Sequence, residues 1–234
     1  GTGVSNTDGT ITSTVSANVD AGFSIVSYTA NGVNGATIGH GLSSTPEMII
    51  VKGRDNSTRR WAVYHKTIGN TGGLYLEATG ATLTSANLWN NTSPTSSVFS
   101  VGLGGNLNTN TEDYIAYAFH SVDGYSKVGS YTGNGSSDGT FVYTGFRPAY
   151  VMGKKTNAAD DWFVYDVSRD PDNAATYFLN PNTSDADDTA GGGTLDITSN
   201  GFKWRTNSGM RNQSGHTYIY MAFAEHPFKH TNAR

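Results

Sequence analysis

The chain has 234 residues, 29 of them glycine and none cysteine, with 15% charged residues, 12% aromatics and a formal net charge of −4. No run approaches 18 apolar residues, which excludes a transmembrane helix. There is no basic run beyond Arg59-Arg60 to neutralise phosphates and no basic amphipathic helix for a membrane surface, so neither nucleic acid nor membrane insertion is expected. Without cysteine there is no disulfide, thiolate zinc site or cysteine nucleophile. The interruption of nearly every stretch by Gly, Ser, Thr or Asn excludes a helical bundle. The aromatic content excludes a disordered polar tract.

In chain order, residues 1–22 are Ser, Thr, Asn, Asp and Gly with scattered Val and Ile. They read as a linker, as the end of a preceding segment, or as an edge strand whose partner lies elsewhere. A start at Gly1 without Met suits a piece of a longer chain. From Phe23 onward the sequence repeats itself. Ser27-Tyr28-Thr29-Ala30-Asn31-Gly32 lies over Ser130-Tyr131-Thr132-Gly133-Asn134-Gly135, and Pro46 to Lys52 over Pro148 to Lys154. Trp61-Ala62-Val63-Tyr64 lies over Trp162-Phe163-Val164-Tyr165, Phe99 over Phe202, and Tyr114 to Phe119 over Tyr218 to Phe223. The separation drifts only between 101 and 104 residues, as small loop insertions would cause. The predicted organisation is repeat 1 over 23–127, repeat 2 over 128–230 and a tail at 231–234.

Each copy reads as five or six strands. Met48 to Lys52 is a β-branched run bounded by Pro46 and Gly53. Trp162 to Val167 and Tyr218 to Ala224 alternate with period two, the mark of a half-buried strand. Asn31-Gly32, Asn134-Gly135, Asp138-Gly139 and Asn200-Gly201 supply the positive φ angles of tight turns. A helix has room only in 172–179 or near Ala86. The predicted fold is all-β: two tandem repeats building an antiparallel β-sandwich, jelly-roll-like and lectin-like, either as two cores or as one fused sandwich.

The segments Gly22 to Thr29, Gly39-His40-Gly41-Leu42, Pro46 to Lys52, Trp89 to Phe99, Gly124-Tyr125-Ser126-Lys127, Gly145-Phe146-Arg147-Pro148 and Tyr220 to Lys229 carry a resemblance. Together they are similar to an uncharacterised domain family of virion and tail-fibre-type proteins of bacteriophages, many of them marine. The resemblance covers about 22–230. It implies a structural or adhesive virion component at the particle surface or otherwise extracellular, without known catalytic residues and without a cofactor. It implies other virion proteins as partners, a homo-oligomer (a trimer by analogy with fibres) and host-surface polysaccharide as a target. Two alternatives stand beside it: a tail-associated polysaccharide-degrading enzyme, and a cellular carbohydrate-binding module or surface-filament subunit.

Several residue groups carry candidate chemistry. Paired carboxylates can perform glycoside hydrolysis, and Asp161 with Asp170 or Asp172 is the pair that loops bring closest. Asp capping of turns around Pro171 is the plainer reading. Asp185, Asp187 and Asp188 offer oxygen ligands to Ca²⁺, although the EF-hand spacing is absent and a solvated loop fits as well. The six histidines show no metal-ligand spacing beyond His226 and His230. The nucleophile elbow Gly-x-Ser-x-Gly is missing, and neither Gly102-x-Gly104-Gly105 nor Gly191 to Gly193 opens a helix that would cradle phosphate. Trp61 and Trp162 occupy sister positions and read as core. Trp89, with Asn90 and Asn91, and Trp204, with Arg205 and Asn207, are the candidate glycan contacts, because an aromatic face flanked by polar groups suits a sugar ring. Packing of both rings in a core or between subunits is the alternative.

Overall fold

The computed structural model describes residues 2–189 and 194–226. The fold is all-β and antiparallel, and it divides into two compact units. The first comprises Gly1–Leu76 and Thr82–His120, the second Glu77–Ala81 and Ser121–Arg234.

The first unit contains β1 (Val4–Asn6), β2 (Ser13–Asn18), β3 (Phe23–Thr29), β4 (Ala36–Gly39), β5 (Met48–Gly53), β6 (Ala62–His65), β7 (Gly72–Tyr75), β8 (Leu83–Thr84), α1 (Ala86–Trp89), β9 (Val98–Val101) and β10 (Asp113–Phe119). Eight strands make one sheet in the order β1-β2-β3-β10-β5-β6-β7-β8, and β4 pairs with β9 in a second. Alternation explains how the sheets close. In β3, Ser24, Val26 and Tyr28 are buried, and in β10 Tyr114, Ala116 and Ala118. All but Ser24, whose hydroxyl donates to His40 O, meet Ile38, Phe99 and Val101 of the small sheet in one hydrophobic cluster.

The second unit contains β11 (Ser126–Thr132), β12 (Phe141–Tyr143), β13 (Pro148–Lys155), β14 (Trp162–Asp166), β15 (Tyr177–Phe178), β16 (Asp188–Thr189), β17 (Leu195–Thr198), β18 (Gly201–Trp204), α2 (Gly209–Asn212) and β19 (Thr217–Ala224). Its main sheet runs β11-β19-β13-β14, its second β12-β18-β17, and β15 pairs with β16. The order β11-β19-β13-β14 repeats β3-β10-β5-β6, and β12-β18 repeats β4-β9. Each unit has its own hydrophobic cluster, drawn from 11–118 in the first and 131–222 in the second.

The same interlock closes both units. Tyr28 stacks on Tyr114 with ring centres 5.4 Å apart, and Tyr131 on Tyr218 at 5.0 Å. The Tyr28 hydroxyl donates to Leu107 O at 2.8 Å, and that of Tyr131 to Arg211 O at 2.7 Å. Tyr114 donates to Gly105 O and accepts from Thr109 N–H, as Tyr218 does with Gly209 O and Gln213 N–H. A buried asparagine follows in each: Asn108 Nδ2 donates to Val33 O and Gly102 O, and Asn212 Nδ2 to Ser136 O, Thr206 O and Asn134 Oδ1. Buried amides and phenols are tolerated only when so satisfied.

Some expectations change. Residues 1–22 are not a linker: β1 and β2 extend the first unit's sheet, and Ile11 and Val15 enter its core. The division falls at 120/121 rather than 127/128, and on its second side Val122 bridges Ser126, the first residue of β11. Among the described residues helix is confined to single turns, α1 near Ala86 and α2, and 172–179 contains β15 instead. The tail 231–234, His230 and the triplet Gly191 to Gly193 lie outside the described residues.

Candidate functional site

Trp89 and Trp204, the two predicted glycan contacts, are not available to a ligand, whereas Trp61, expected in the core, is only partly buried. Trp89 is 1% and Trp204 0% exposed. Trp89 meets Tyr64 edge-on, and Trp204 packs among Tyr131, Phe163, Tyr165 and Phe202. Asn90 and Asn91 adopt left-handed backbone angles, φ 52° and 50°, and Asn90 closes α1 as its C-cap. Asparagine tolerates that conformation better than most residues, so their presence beside Trp89 reflects turn geometry. Asn207 is exposed. Of the predicted contacts, Arg205 alone joins a surface with aromatic rings.

That surface is the outer face of β12-β18-β17. Along β12, Val142 points into the core while Phe141 and Tyr143 are 45% and 64% exposed on the opposite face. Phe141 stands opposite Lys203 and Tyr143 opposite Gly201; Lys203 in turn stands opposite Asp196. Glycine seats both rings. A Cβ on Gly201 would be 3.1 Å from the Phe141 ring tip, and Gly145, at φ +90°, faces the Tyr143 ring with its nearest atom 3.6 Å from a hypothetical Cβ. Rings resting on bare backbone lose less freedom when something stacks on them.

Beside the rings runs a chain of charges. Lys203 Nζ lies 2.6 Å from Asp138 Oδ1, Arg205 Nη1 is 3.5 Å from the same oxygen, and Arg205 Nε pairs with Asp196. The Lys203 ammonium holds the Asp138 carboxyl below its usual range. The group therefore presents two cations and two anions, all reachable by solvent. The sequence signal for this face was the alternation Phe141-Val142-Tyr143, with aromatics where the first repeat has Thr37 and Gly39. No tryptophan and no aromatic–amide pairing marks it.

The carboxylates of 160–172 serve the fold. Asp160 pairs with Lys155 at 2.6 Å, and Asp161 accepts from Asn182 Nδ2 at 2.6 Å. Asp170 Oδ2 accepts the N–H groups of Thr176 and Tyr177 at 2.5 and 3.0 Å, which is the capping reading around Pro171. Asp172 is exposed. Asp187 pairs with Arg169, and among the described residues no group of three His, Asp or Glu side chains gathers to hold a metal. The Ca²⁺ site that the clustering of Asp185, Asp187 and Asp188 suggested is not gathered among the described residues, where Arg169 draws Asp187 into an ion pair.

The most perturbed cation is Lys154, fully buried, with Nζ donating to Thr79 O at 3.1 Å and Lys155 O at 2.9 Å. Burial pulls its pKa from 10.5 to about 8, with Asp160 opposing the shift. Between about 8 and 10.5 the unfolded chain holds a proton that the folded chain has lost, so stability rises with pH there. Burial acts the other way on tyrosine. It raises Tyr150 and Tyr218 to about 12 and holds Tyr28 and Tyr131 well above the usual phenol range, so above about 10 the folded chain keeps protons the unfolded one loses and stability falls. The urea midpoint is expected to climb from about pH 7.5 to about 9.5 and to drop by about pH 11. Lys154→Met is expected to flatten the rising limb and leave the falling limb in place.

Comparison with known families gives one match: a model described as Domain of unknown function (DUF7483), over residues 1–227. The chain belongs to the DUF7483 family. The match takes in β1 and β2 with both units, so the DUF7483 domain includes the segment whose sequence resembles a linker. No curated protein and no solved structure matches this DUF7483 chain.

Proposed function

We propose that this DUF7483 chain is a non-enzymatic, adhesive β-module of a virion surface appendage such as a tail fibre, working outside the cell with other virion proteins. On this reading it holds host-surface polysaccharide against the outer face of β12-β18-β17. The observation that carries the adhesive part is the pair of exposed rings, Phe141 and Tyr143, beside the charged chain Lys203–Asp138–Arg205–Asp196. Two residues apart on one strand, the rings are spaced by about 7 Å on one face. The C–H faces of a sugar stack on such rings, while its hydroxyls accept from Lys203 and Arg205 and donate to Asp138 and Asp196. The virion setting rests on the sequence resemblance.

The test is retention on an array of bacterial capsular and lipopolysaccharide O-chain glycans. Phe141→Ala with Tyr143→Ala is expected to weaken retention about 10- to 30-fold, near 1 kcal/mol per ring. The thermal midpoint should stay unchanged, because both side chains are exposed. Retention that survives the loss of both rings removes this face from the reading. Release of oligosaccharides from the same glycans would replace adhesion with hydrolysis.

A further inference from the structure

The two units differ at one edge in a way that their shared topology makes informative. In the first unit the outer edge of β4 is occupied by the chain's own N-terminal segment. Ile11 N–H donates to Thr37 O at 3.0 Å, Thr37 N–H to Thr10 Oγ1 at 2.9 Å and the Ser13 hydroxyl to Gly39 O at 2.8 Å. Ile11 also bridges Ile38 in parallel. The sister positions in the second unit are Phe141 and Tyr143. Trp204 N–H donates to Thr140 O and Thr144 N–H to Asn200 O, so residues 140, 142 and 144 turn their backbone groups toward β18. By alternation, Phe141 and Tyr143 turn theirs outward. Among the described residues nothing bonds to these two N–H and two C=O groups.

We infer that the open edge of β12 pairs antiparallel with the same edge of a second copy of this chain, about a twofold axis at Val142. The pairing is self-complementary. Phe141 of one copy faces Tyr143 of the other, both are outward-bonding residues, and the eight open groups of the two strands exchange bonds completely. The product is one six-stranded sheet, β17-β18-β12 continued by its symmetry mate. Its outer face carries four exposed rings in cross-strand aromatic pairs, a favourable combination. Free edges are ordinarily guarded by Lys, Pro or a bulge; β12 has none of these. Its neighbours Lys203, Arg205, Asp138 and Asp196 sum to zero charge, so two copies meet without net repulsion. The proposal goes beyond glycan adhesion and holds or fails without any glycan present. It also differs from the trimer that fibre analogy expects.

Three strand residues make a small interface, below the roughly 1,200 Å² of stable complexes, so association is weak and concentration-dependent. Sedimentation of the wild-type chain from about 10 μM to about 1 mM is expected to show mass rising toward the dimer. Phe141→Lys with Tyr143→Lys is expected to abolish that rise while leaving the unfolding midpoint in place. A second readout does not depend on that variant folding. Because the chain has no cysteine, Phe141→Cys with Tyr143→Cys should trap a covalent dimer on oxidation, the facing Cα atoms lying about 5.5 Å apart. A wild-type chain that stays monomeric at about 1 mM, a trimer, or a dimer that persists in the lysine variant overturns the proposal.

Discussion

Replacing Asn212 by Ala is expected to destabilise the chain by about 3–4 kcal/mol. Asn212 is fully buried and its side chain has five polar partners: Asn134 Oδ1, Ser136 O and Thr206 O share the two Nδ2 protons, and Asn134 N–H and the Thr140 hydroxyl donate to Oδ1. Through them it ties the loop after β11 to the end of β18 and to α2. Truncation leaves groups from each of these segments without partners in a space too confined for every one to find water. The sister change, Asn108→Ala, removes three bonds, to Gly32 N–H, Val33 O and Gly102 O, and is expected to cost about 2–3 kcal/mol. Scanning calorimetry checks both. A fall of roughly 10 °C or more for Asn212→Ala, with a smaller one for Asn108→Ala, is expected. A shift under about 2 °C would mean that the two asparagines do not brace the fold.

Trp204→Ala is expected to cost about 3–5 kcal/mol, the range for deleting a large buried aromatic side chain. The ring is fully buried and touches four other aromatic rings from β11, β14 and β18. The cavity cannot collapse easily, because those rings are themselves held by strand pairing on both sheets. Trp204→Phe restores most of the volume and should recover more than half of the loss. The pair of variants separates packing from binding. A core residue lowers the denaturation midpoint of both, whereas a ligand contact would lower glycan retention and leave the midpoint alone.

The duplication was legible because the matched residues are those that every copy needs in order to close. Tyr28 and Tyr131, Tyr114 and Tyr218, and Phe99 and Phe202 are buried partners in the same stack in each unit. Asn108 and Asn212 lie at the same separation, yet single asparagines in a chain rich in asparagine carry no visible signal. The burial of Trp89 and Trp204 was hidden for a different reason. Polar neighbours such as Asn90 and Arg205 describe the loop beside each ring, while burial is set by an opposing sheet contributed from distant parts of the sequence. The same limit applied to residues 1–22. Alternating Ser and Thr with a lone Ile11 or Val15 resembles a linker until β3 and β4 provide something to pair with. The open face at Phe141 and Tyr143 was readable as a strand, but its exposure depends on what does not cover it.

The adhesive reading places function on one face of the second unit and denies it to Trp89 and Trp204. The most direct measurement is residue-resolved NMR of the wild-type chain during titration with fragments of a polysaccharide retained on the array. Backbone and side-chain shifts should concentrate at Phe141, Tyr143, Lys203 and Arg205, with the Trp89 and Trp204 indole signals unmoved. Shifts centred elsewhere in either unit, with β12 silent, would contradict it.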